Sequence, residues 1–192
     1  MKILLATITW VLLFLSFLEN KCIAANDINF VVEISNTTDS QQARQTVLDF
    51  LTWYKKNIAA INRFPLVNQK GEEPYSVNLK NGERYLGFLK KSNFLTDQYL
   101  NNWRQYFKER NEGFRLNPEN EGPPTGFEYD LVLLSQDVDM QLDSLSSLKI
   151  KKITVLNNSA KVNFKLIEEY QFQLVRRNNR WMINNILNLS QE

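Results

Sequence analysis

The residues best suited to chemistry are carboxylates gathered in one short stretch of the chain. Asp130, Asp137 and Asp139 lie close together in sequence, beside Glu128 and Gln136. Such a group can bind the amine of a ligand or a cation, or hold one carboxylate at a raised pKa for work as a base. The same side chains can instead accept backbone N–H bonds around an irregular turn. The sequence leaves both interpretations open.

The absence of histidine narrows the chemistry open to this chain. It excludes a Ser-His-Asp triad, a Cys-His pair and any metal held by histidine. The single cysteine, Cys22, lies in an amino-terminal segment that we expect to be removed. Residues 137–141 begin like a calcium loop, but the required glycine and the closing glutamate are missing. We therefore predict neither a metal nor another cofactor, and no catalytic residue is assigned.

Aromatic and arginine side chains are the remaining candidates for a binding site. Tyr85, Trp103, Tyr129 and Trp181 can line a pocket or simply fill the core. Arginines such as Arg104 and Arg176 can clamp a carboxylate of a ligand or form surface ion pairs. The residues predicted to bind a ligand are Tyr85, Trp103, Arg104, Tyr129, Asp130, Gln136 and Asp137.

The charge balance bears on the class of partner. The chain carries a net charge of +2, which offers no general field for nucleic acid or an anionic membrane. The basic clusters at 149–152 and 176–177 are local and fit solvated strand faces. We therefore expect a small ligand or a protein partner and no nucleic acid.

The amino terminus has the pattern of a secretory signal peptide. Lys2 is followed by an uncharged run over 3–18, and small residues end the segment at Ala24 and Ala25. The run is shorter than the ~20 residues that span a bilayer comfortably. We predict a signal peptide at 1–24, export to the periplasm or the extracellular space, and no membrane span after cleavage. The alternative is an uncleaved anchor.

The rest of the chain divides into an N-terminal lead at 25–39 and a single domain at 40–192. We predict that the lead forms a short strand or a disordered tether. Apolar residues at steps of three and four predict a helix over 40–62, begun by a capping box at 38–41. Shorter helices are predicted over 83–91 and over 96–111, the latter capped by Thr96. Residues 112–126 form a loop, and Tyr75 begins a possible extended edge.

Period-two alternation after Leu148 predicts strands instead of helices. The apolar parity switches at 151–152, which predicts a β-bulge there. Asparagines at 157–158 and 178–179 supply turns, whereas the connection at 168–169 lacks a turn signal. Helices first and an antiparallel meander last predict an α+β fold, with the helices packed on one face of a curved sheet.

These features together carry a resemblance to a known family. The meander ends in a strand with Trp181, Ile183 and Ile186. The segment before the sheet has Phe-Glu-Tyr-Asp at 127–130, followed after five residues by Gln136-Asp137. The chain resembles a family of uncharacterised exported bacterial proteins in the nuclear-transport-factor-like (cystatin-like cone) superfamily, over roughly residues 43–188. Family members often have a proline where this chain has Leu131, so the local turn is expected to differ.

The resemblance implies a cone with a pocket between helix and sheet. The superfamily holds isomerase-like and dehydratase enzymes and many non-catalytic binders, and fold alone does not choose among them. The lack of histidine counts against the dehydratase option. We expect an exported non-catalytic binding protein for a small ligand, a peptide or a partner protein, with an immunity or inhibitor role as one version. The alternative is an isomerase- or hydrolase-like enzyme that uses Asp and Tyr in the pocket.

Overall fold

The computed structural model describes residues 24–191, with side chains from residue 37 onward. The predicted signal peptide lies outside these residues except for Ala24. Within the described range, no helix combines the length and the apolar character needed to cross a membrane. The helices are α1 Ala24–Ile61, α2 Leu79–Lys90, α3 Asp97–Leu116 and α4 Val138–Asp143, and the strands are β1 Val67–Asn68, β2 Ser76–Val77, β3 Lys149–Leu156, β4 Ser159–Lys165, β5 Glu169–Arg177 and β6 Arg180–Asn188.

The C-terminal half is an antiparallel meander in the order β3-β4-β5-β6, which confirms the predicted α+β class. The predicted bulge is present, because the β3–β4 register shifts between Ile150 and Lys152. Asn178 and Asn179 both have positive φ, of 48° and 58°, as the tight turn between β5 and β6 requires. The buried apolar side chains of β4 and β5 alternate with more exposed residues, so one face of the sheet supplies the core.

Helix α1 corrects two expectations. It begins at Ala24, so the lead is helical rather than a strand or a tether, and the helix runs through the predicted capping box without a start there. Asp39 instead pairs with Arg176 of β5, with Nη1–Oδ1 at 2.9 Å. Asp39 and all later residues belong to one compact unit. Within that unit, the Phe50 ring of α1 packs edge-on against Phe172 of the sheet, with centroids 6.1 Å apart.

Helices α2 and α3 approach each other closely at Gly82. A Cβ placed there would lie 2.9 Å from Cδ2 of Phe107, so only glycine fits without movement. Thr96 caps α3 as predicted, because its hydroxyl accepts the N–H of Tyr99 at 3.0 Å. α3 continues past the predicted end to Leu116, since Phe114 extends the same buried face. Residues 112–116, predicted as loop, are thus helical.

Two connections differ from the sequence expectation. α2 begins at Leu79 rather than at 83, because the Asn78 side chain accepts the N–H of Asn81 at 2.9 Å. The extended segment after Tyr75 forms β2, which pairs with β1 and not with the main sheet. This small ribbon borders the cavity described below.

Candidate functional site

The carboxylate segment before the sheet forms a tight turn over residues 130–135. The N–H of Asp130 donates to the carbonyl of Ser135 at 3.0 Å, which closes the turn. Leu134 within it has a φ of 51°, a left-handed conformation that a leucine adopts only when its surroundings hold it there. Asn188 of β6 stabilises this conformation, because its Nδ2 donates to the Leu134 carbonyl at 3.0 Å. The turn is therefore fixed to the sheet.

Asp130 is held by three donors at the mouth of this turn. Its Oδ1 accepts the backbone N–H groups of Val132, at 3.1 Å, and Leu133, at 2.6 Å. Its Oδ2 accepts the hydroxyl of Tyr54, which comes from helix α1. The carboxylate therefore does cap the turn, and it also joins the turn to the first helix.

The surroundings of Asp130 act on its protonation in opposing directions. Burial raises the pKa of Asp130 above its ordinary value, and the charge of Asp139 raises it further. The hydrogen bonds from Leu133, Tyr54 and Val132 lower the pKa because they favour the charged form. Burial has the largest effect, so the pKa of this carboxyl is raised on balance.

The charge of Asp130 acts on three buried tyrosines. Burial raises the pKa of Tyr54, Tyr85 and Tyr99, and in each case the negative charge of Asp130 raises the pKa further. All of these hydroxyls therefore remain protonated at neutral pH and can act as hydrogen-bond donors. Tyr54 already donates to Asp130, whereas the Tyr85 hydroxyl makes no protein hydrogen bond within residues 37–191.

Asp130 lies in the wall of a cavity of about 280 Å³. Asp130 is half-buried there, and most of the other lining residues are apolar or aromatic. Pockets for drug-sized ligands begin at about 300 Å³. The cavity is slightly smaller than that, so it suits a smaller molecule. The cavity is lined by Ile61, Asn62, Phe64, Leu66, Val67, Tyr85, Pro124, Phe127, Tyr129, Asp130 and Leu131.

One wall of the cavity comes from the loop at 117–126. Hydrogen bonds anchor this loop in its middle and at its end. The Tyr75 hydroxyl donates to the Gly122 carbonyl at 2.6 Å, and the Tyr106 hydroxyl donates to the Gly126 carbonyl at 2.9 Å. Gly126 has a φ of +86°, and a Cβ there would overlap the Tyr106 hydroxyl. The cavity wall thus depends on a glycine packed directly against α3.

The structure brings together three of the predicted site residues and separates the other four. Tyr85, Tyr129 and Asp130 line the same cavity. The remaining residues lie elsewhere: Trp103 packs edge-on against Tyr106 with centroids 5.1 Å apart, Arg104 pairs with Glu83 through Nε–Oε1 at 2.6 Å, and the side chains of Gln136 and Asp137 are exposed.

Two further aromatic and arginine candidates also have other surroundings. Trp181 is buried on the inner face of the sheet and borders a separate pocket of about 340 Å³ with Asp49 and Arg180. The Arg176 guanidinium lies 5.7 Å from the Trp181 ring and pairs with Asp39. Neither residue belongs to the cavity at Asp130.

Tyr54 is the site residue that the sequence did not single out. Its place on the apolar face of α1 predicts a core residue. Tyr54 does belong to the core, with no exposed surface. The available signal was its hydroxyl, because a buried tyrosine hydroxyl needs a hydrogen-bond partner. The sequence did not show which residue would provide one.

Comparisons with known proteins do not add to this description. No protein-family model, curated protein or solved structure matches the chain. Among residues 24–191, no three acidic or cysteine side chains are grouped closely enough to hold a metal ion. The candidate site therefore consists of the cavity, the carboxylate of Asp130 and the tyrosines around it.

Proposed function

We propose that the protein is an exported binding protein that holds a small ligand in the cavity beside Asp130 and does not change it chemically. The observation that carries the proposal is the position of Asp130. A carboxylate with three fixed hydrogen bonds lies in the wall of a cavity whose other lining residues are mostly apolar or aromatic and whose surface is both polar and apolar. Such a pairing of apolar walls with one oriented polar group is typical of ligand sites.

The size of the cavity indicates the size of the ligand. A cavity of about 150 Å³ holds benzene, so the 280 Å³ found here suits a molecule of about ten non-hydrogen atoms. The Phe127 and Tyr129 rings offer it flat apolar surface, and the Tyr85 hydroxyl offers it a second polar contact. The ligand we propose has an apolar body and one hydrogen-bond donor directed at Asp130.

A small ligand is favoured over an apolar protein partner. Among the described residues, four of the five large exposed apolar side chains lie on four different elements and the fifth lies in the β4–β5 connection, so no element presents a stripe of them. Single exposed apolar residues are ordinary in soluble proteins and do not mark an interface. These exposed residues are Leu79, Leu116, Met140, Leu156 and Ile167.

One observation favours the enzyme alternative. Asp130 has a raised pKa and stands beside protonated tyrosines in a cavity, as an Asp/Tyr-dependent isomerase would require. However, both oxygens of the carboxylate already accept hydrogen bonds from the protein. Those bonds stabilise the charged form and reduce its basicity, which favours binding over proton transfer.

An exchange experiment separates the two functions. A small cyclic ketone is incubated with the full-length chain in deuterated water, and the proton signals beside its carbonyl are followed by NMR. A binding protein shifts these signals without accelerating their loss. Accelerated loss that disappears in Asp130→Asn would establish proton transfer and replace the binding proposal with the enzyme.

The binding proposal itself is tested by closing the cavity. Asn62 is exposed and lines the cavity, whereas the neighbouring Arg63 is exposed and does not line it. We expect Asn62→Trp to abolish the chemical-shift changes that small aromatic fragments cause in the wild type, and Arg63→Trp to keep them. Equal binding by both variants, or no fragment binding to the wild type, would contradict the proposal.

We also propose export and membership of the cystatin-like cone superfamily. The charged start, the uncharged run over 3–18 and the small residues near Ala24 support export to the periplasm or the extracellular space. The helices followed by a bulged four-stranded meander support the superfamily. The cavity itself is lined by the helices, β1 and the segment at 124–131 and by no residue of the four-stranded sheet, so it is not the pocket between helix and sheet that the resemblance implies. Fractionation of cells that produce the full-length chain, with sequencing of its mature amino terminus, tests export.

A further inference from the structure

The charges around the cavity are unbalanced. Asp130 forms no ion pair within residues 37–191, and no lysine or arginine lines the cavity. Arg84 lies 5.3 Å from the ring of Phe64, one of the lining residues, but its hydrogen bond goes to Asn81. The carboxylate therefore has hydrogen-bond donors around it but no cation.

An ionised carboxylate in such a place normally has a cationic partner. Carboxylates are rarely buried unless they are paired, because desolvation costs more than neutral hydrogen bonds return. The three donors to Asp130 stabilise its charged form and leave only acceptor positions unused. A ligand can complete this arrangement only by donating a hydrogen bond, and a charged donor gains the most from it.

We infer that the ligand of this cavity is a small organic cation, an amine with an aromatic or aliphatic body, whose ammonium group pairs with Asp130. This inference rests on the proposed function, since it specifies the ligand of the same site.

Further features of the cavity favour an organic cation. The rings of Tyr85 and Phe127 in the wall can attract an ammonium group through their π faces. The nearby carboxylate of Asp139 adds negative charge at Asp130. A metal ion is a poorer fit, because Asp130 belongs to no group of three potential ligands within the described residues.

The experiment uses probes that match in shape and differ in charge. 2-Phenylethylamine, 2-phenylethanol and 3-phenylpropionate are titrated into the full-length wild-type chain at pH 7, and the Kd values are compared by NMR or calorimetry. We expect the amine to bind at least about tenfold more tightly than the alcohol, since hydrogen bonds to charged groups are stronger than neutral ones. The carboxylate should bind least.

The variant that tests the pairing is Asp130→Asn, with Asp139→Asn as its matched control. Asp130→Asn should bring the amine-to-alcohol ratio of Kd values close to one while the alcohol still binds. Asp139→Asn should keep most of the preference, because that side chain is exposed. A wild type that binds amine and alcohol equally, or prefers the carboxylate, overturns the organic-cation inference and leaves the binding function standing.

Failure of the two proposals is distinguishable. If neither probe binds to the wild type and Asn62→Trp changes nothing, the proposed function fails and the cation inference fails with it. If Asp130→Asn does not fold, a pH titration of the wild type replaces it. Amine affinity should fall as the pH drops through the pKa of Asp130, whereas the affinity for the alcohol should stay level. Parallel behaviour of the two probes would overturn the inference.

Discussion

The hydroxyl of Tyr54 donates a hydrogen bond to Oδ2 of Asp130, across 76 positions of the chain. Tyr54 has no exposed surface, and the other oxygen of Asp130 caps its own turn. The contact therefore fixes the carboxylate between helix α1 and the segment that leads into the sheet. Asp130 thus supports the fold at the same position where we propose that a ligand binds, and variants can test the two roles separately.

Removal of the Asp130 side chain should destabilise the fold strongly. Asp130→Ala leaves the hydroxyl of Tyr54 and two backbone N–H groups without their acceptor. Each buried group that loses its partner costs about 1–3 kcal/mol, partly offset by relief of the buried charge, so we expect a loss of about 2–4 kcal/mol. Tyr54→Phe, which removes one donor, should cost about 1–3 kcal/mol. Urea unfolding of each variant measures these losses.

Asp139→Ala is the control for this series. Its side chain is exposed, and substitutions at such positions usually change stability by less than about 0.5 kcal/mol. An Asp130→Ala variant as stable as Asp139→Ala would show that Asp130 does not support the turn.

The pH dependence of stability should carry the signature of Asp130. Burial raises the pKa of Asp130 above its ordinary 3.8, so between pH 3.8 and that raised value the folded chain binds more protons than the unfolded chain. Stability contributed by this group therefore increases as the pH falls through that interval. We expect the wild type to gain stability relative to Asp130→Asn as the pH is lowered from neutral toward 4.

Other carboxylates lose stabilising free energy as the pH falls, but they do not affect the comparison between the wild type and Asp130→Asn. The pKa of Glu83 is lowered by its hydrogen bond with Arg104, and that of Glu169 by its hydrogen bond with Lys151. Their stabilising contributions are lost as the pH falls below about 4.5, equally in both proteins. Unfolding midpoints measured at several pH values give the difference, and a pH-independent difference would mean that Asp130 has an ordinary pKa in the fold.

Local signals in the sequence were sufficient for much of the sheet and for one helix cap. The parity switch at 151–152 predicts the bulge that is found, and Thr96 predicts the start of α3. A second bulge, where Leu174 pairs with Ile183 and Gln173 with Asn185, has the same parity signal but was not predicted. These features depend on neighbouring residues, so a local pattern can reveal them.

Features that depend on distant partners were not predictable in the same way. The connection between β4 and β5 forms without a turn signal of its own because Gln141, from helix α4, supports it. The Gln141 side-chain oxygen accepts the N–H groups of Ile167, at 3.2 Å, and Glu168, at 3.1 Å. The candidate site follows the same rule. Tyr85, Tyr129 and Asp130 were named from their residue types, but only the fold brings Tyr54 to them.

The ion pair between Asp39 and Arg176 should contribute more than the exposed ion pairs do. The Asp39 carboxylate contacts Nη1 of Arg176 through both oxygens, at 2.9 and 3.0 Å, with side-chain exposures of 17% and 28%. We expect Asp39→Asn to cost about 1–2 kcal/mol in urea unfolding, because the guanidinium would stay partly buried without its counter-charge.

Glu112→Gln is the matched control for that pair. Glu112 contacts Arg115 one turn away on α3, and both side chains are more than half exposed. Its loss should change stability far less than the loss of Asp39 does, because solvent screens an exposed pair. Equal costs for the two substitutions would show that Asp39 adds no more than an ordinary surface charge.

The wall of the cavity should depend on Gly126 and not on the nearby Gly122. Both glycines have positive φ, of +86° and +73°, but a Cβ at Gly126 would overlap Tyr106, whereas a Cβ at Gly122 meets nothing. Alanine at either position carries similar backbone strain, about 1 kcal/mol. Only Gly126→Ala should also move Tyr106 and weaken binding of 2-phenylethylamine. Equal Kd values for the two variants would contradict this account.

Helix α2 offers a final test, because its two glycines have opposite surroundings. A Cβ at Gly82 would come within 2.9 Å of the Phe107 ring, whereas a Cβ at Gly87 meets nothing within 4 Å. Alanine gains up to about 1 kcal/mol over glycine in a helix, so Gly87→Ala should stabilise the protein by about that amount. At Gly82 the same gain is outweighed by overpacking, which costs about 1–3 kcal/mol, because Phe107 is buried among other rings and cannot move freely. Thermal unfolding should therefore show Tm shifts of opposite sign. Stabilisation by both substitutions would mean that α2 and α3 separate easily at Gly82.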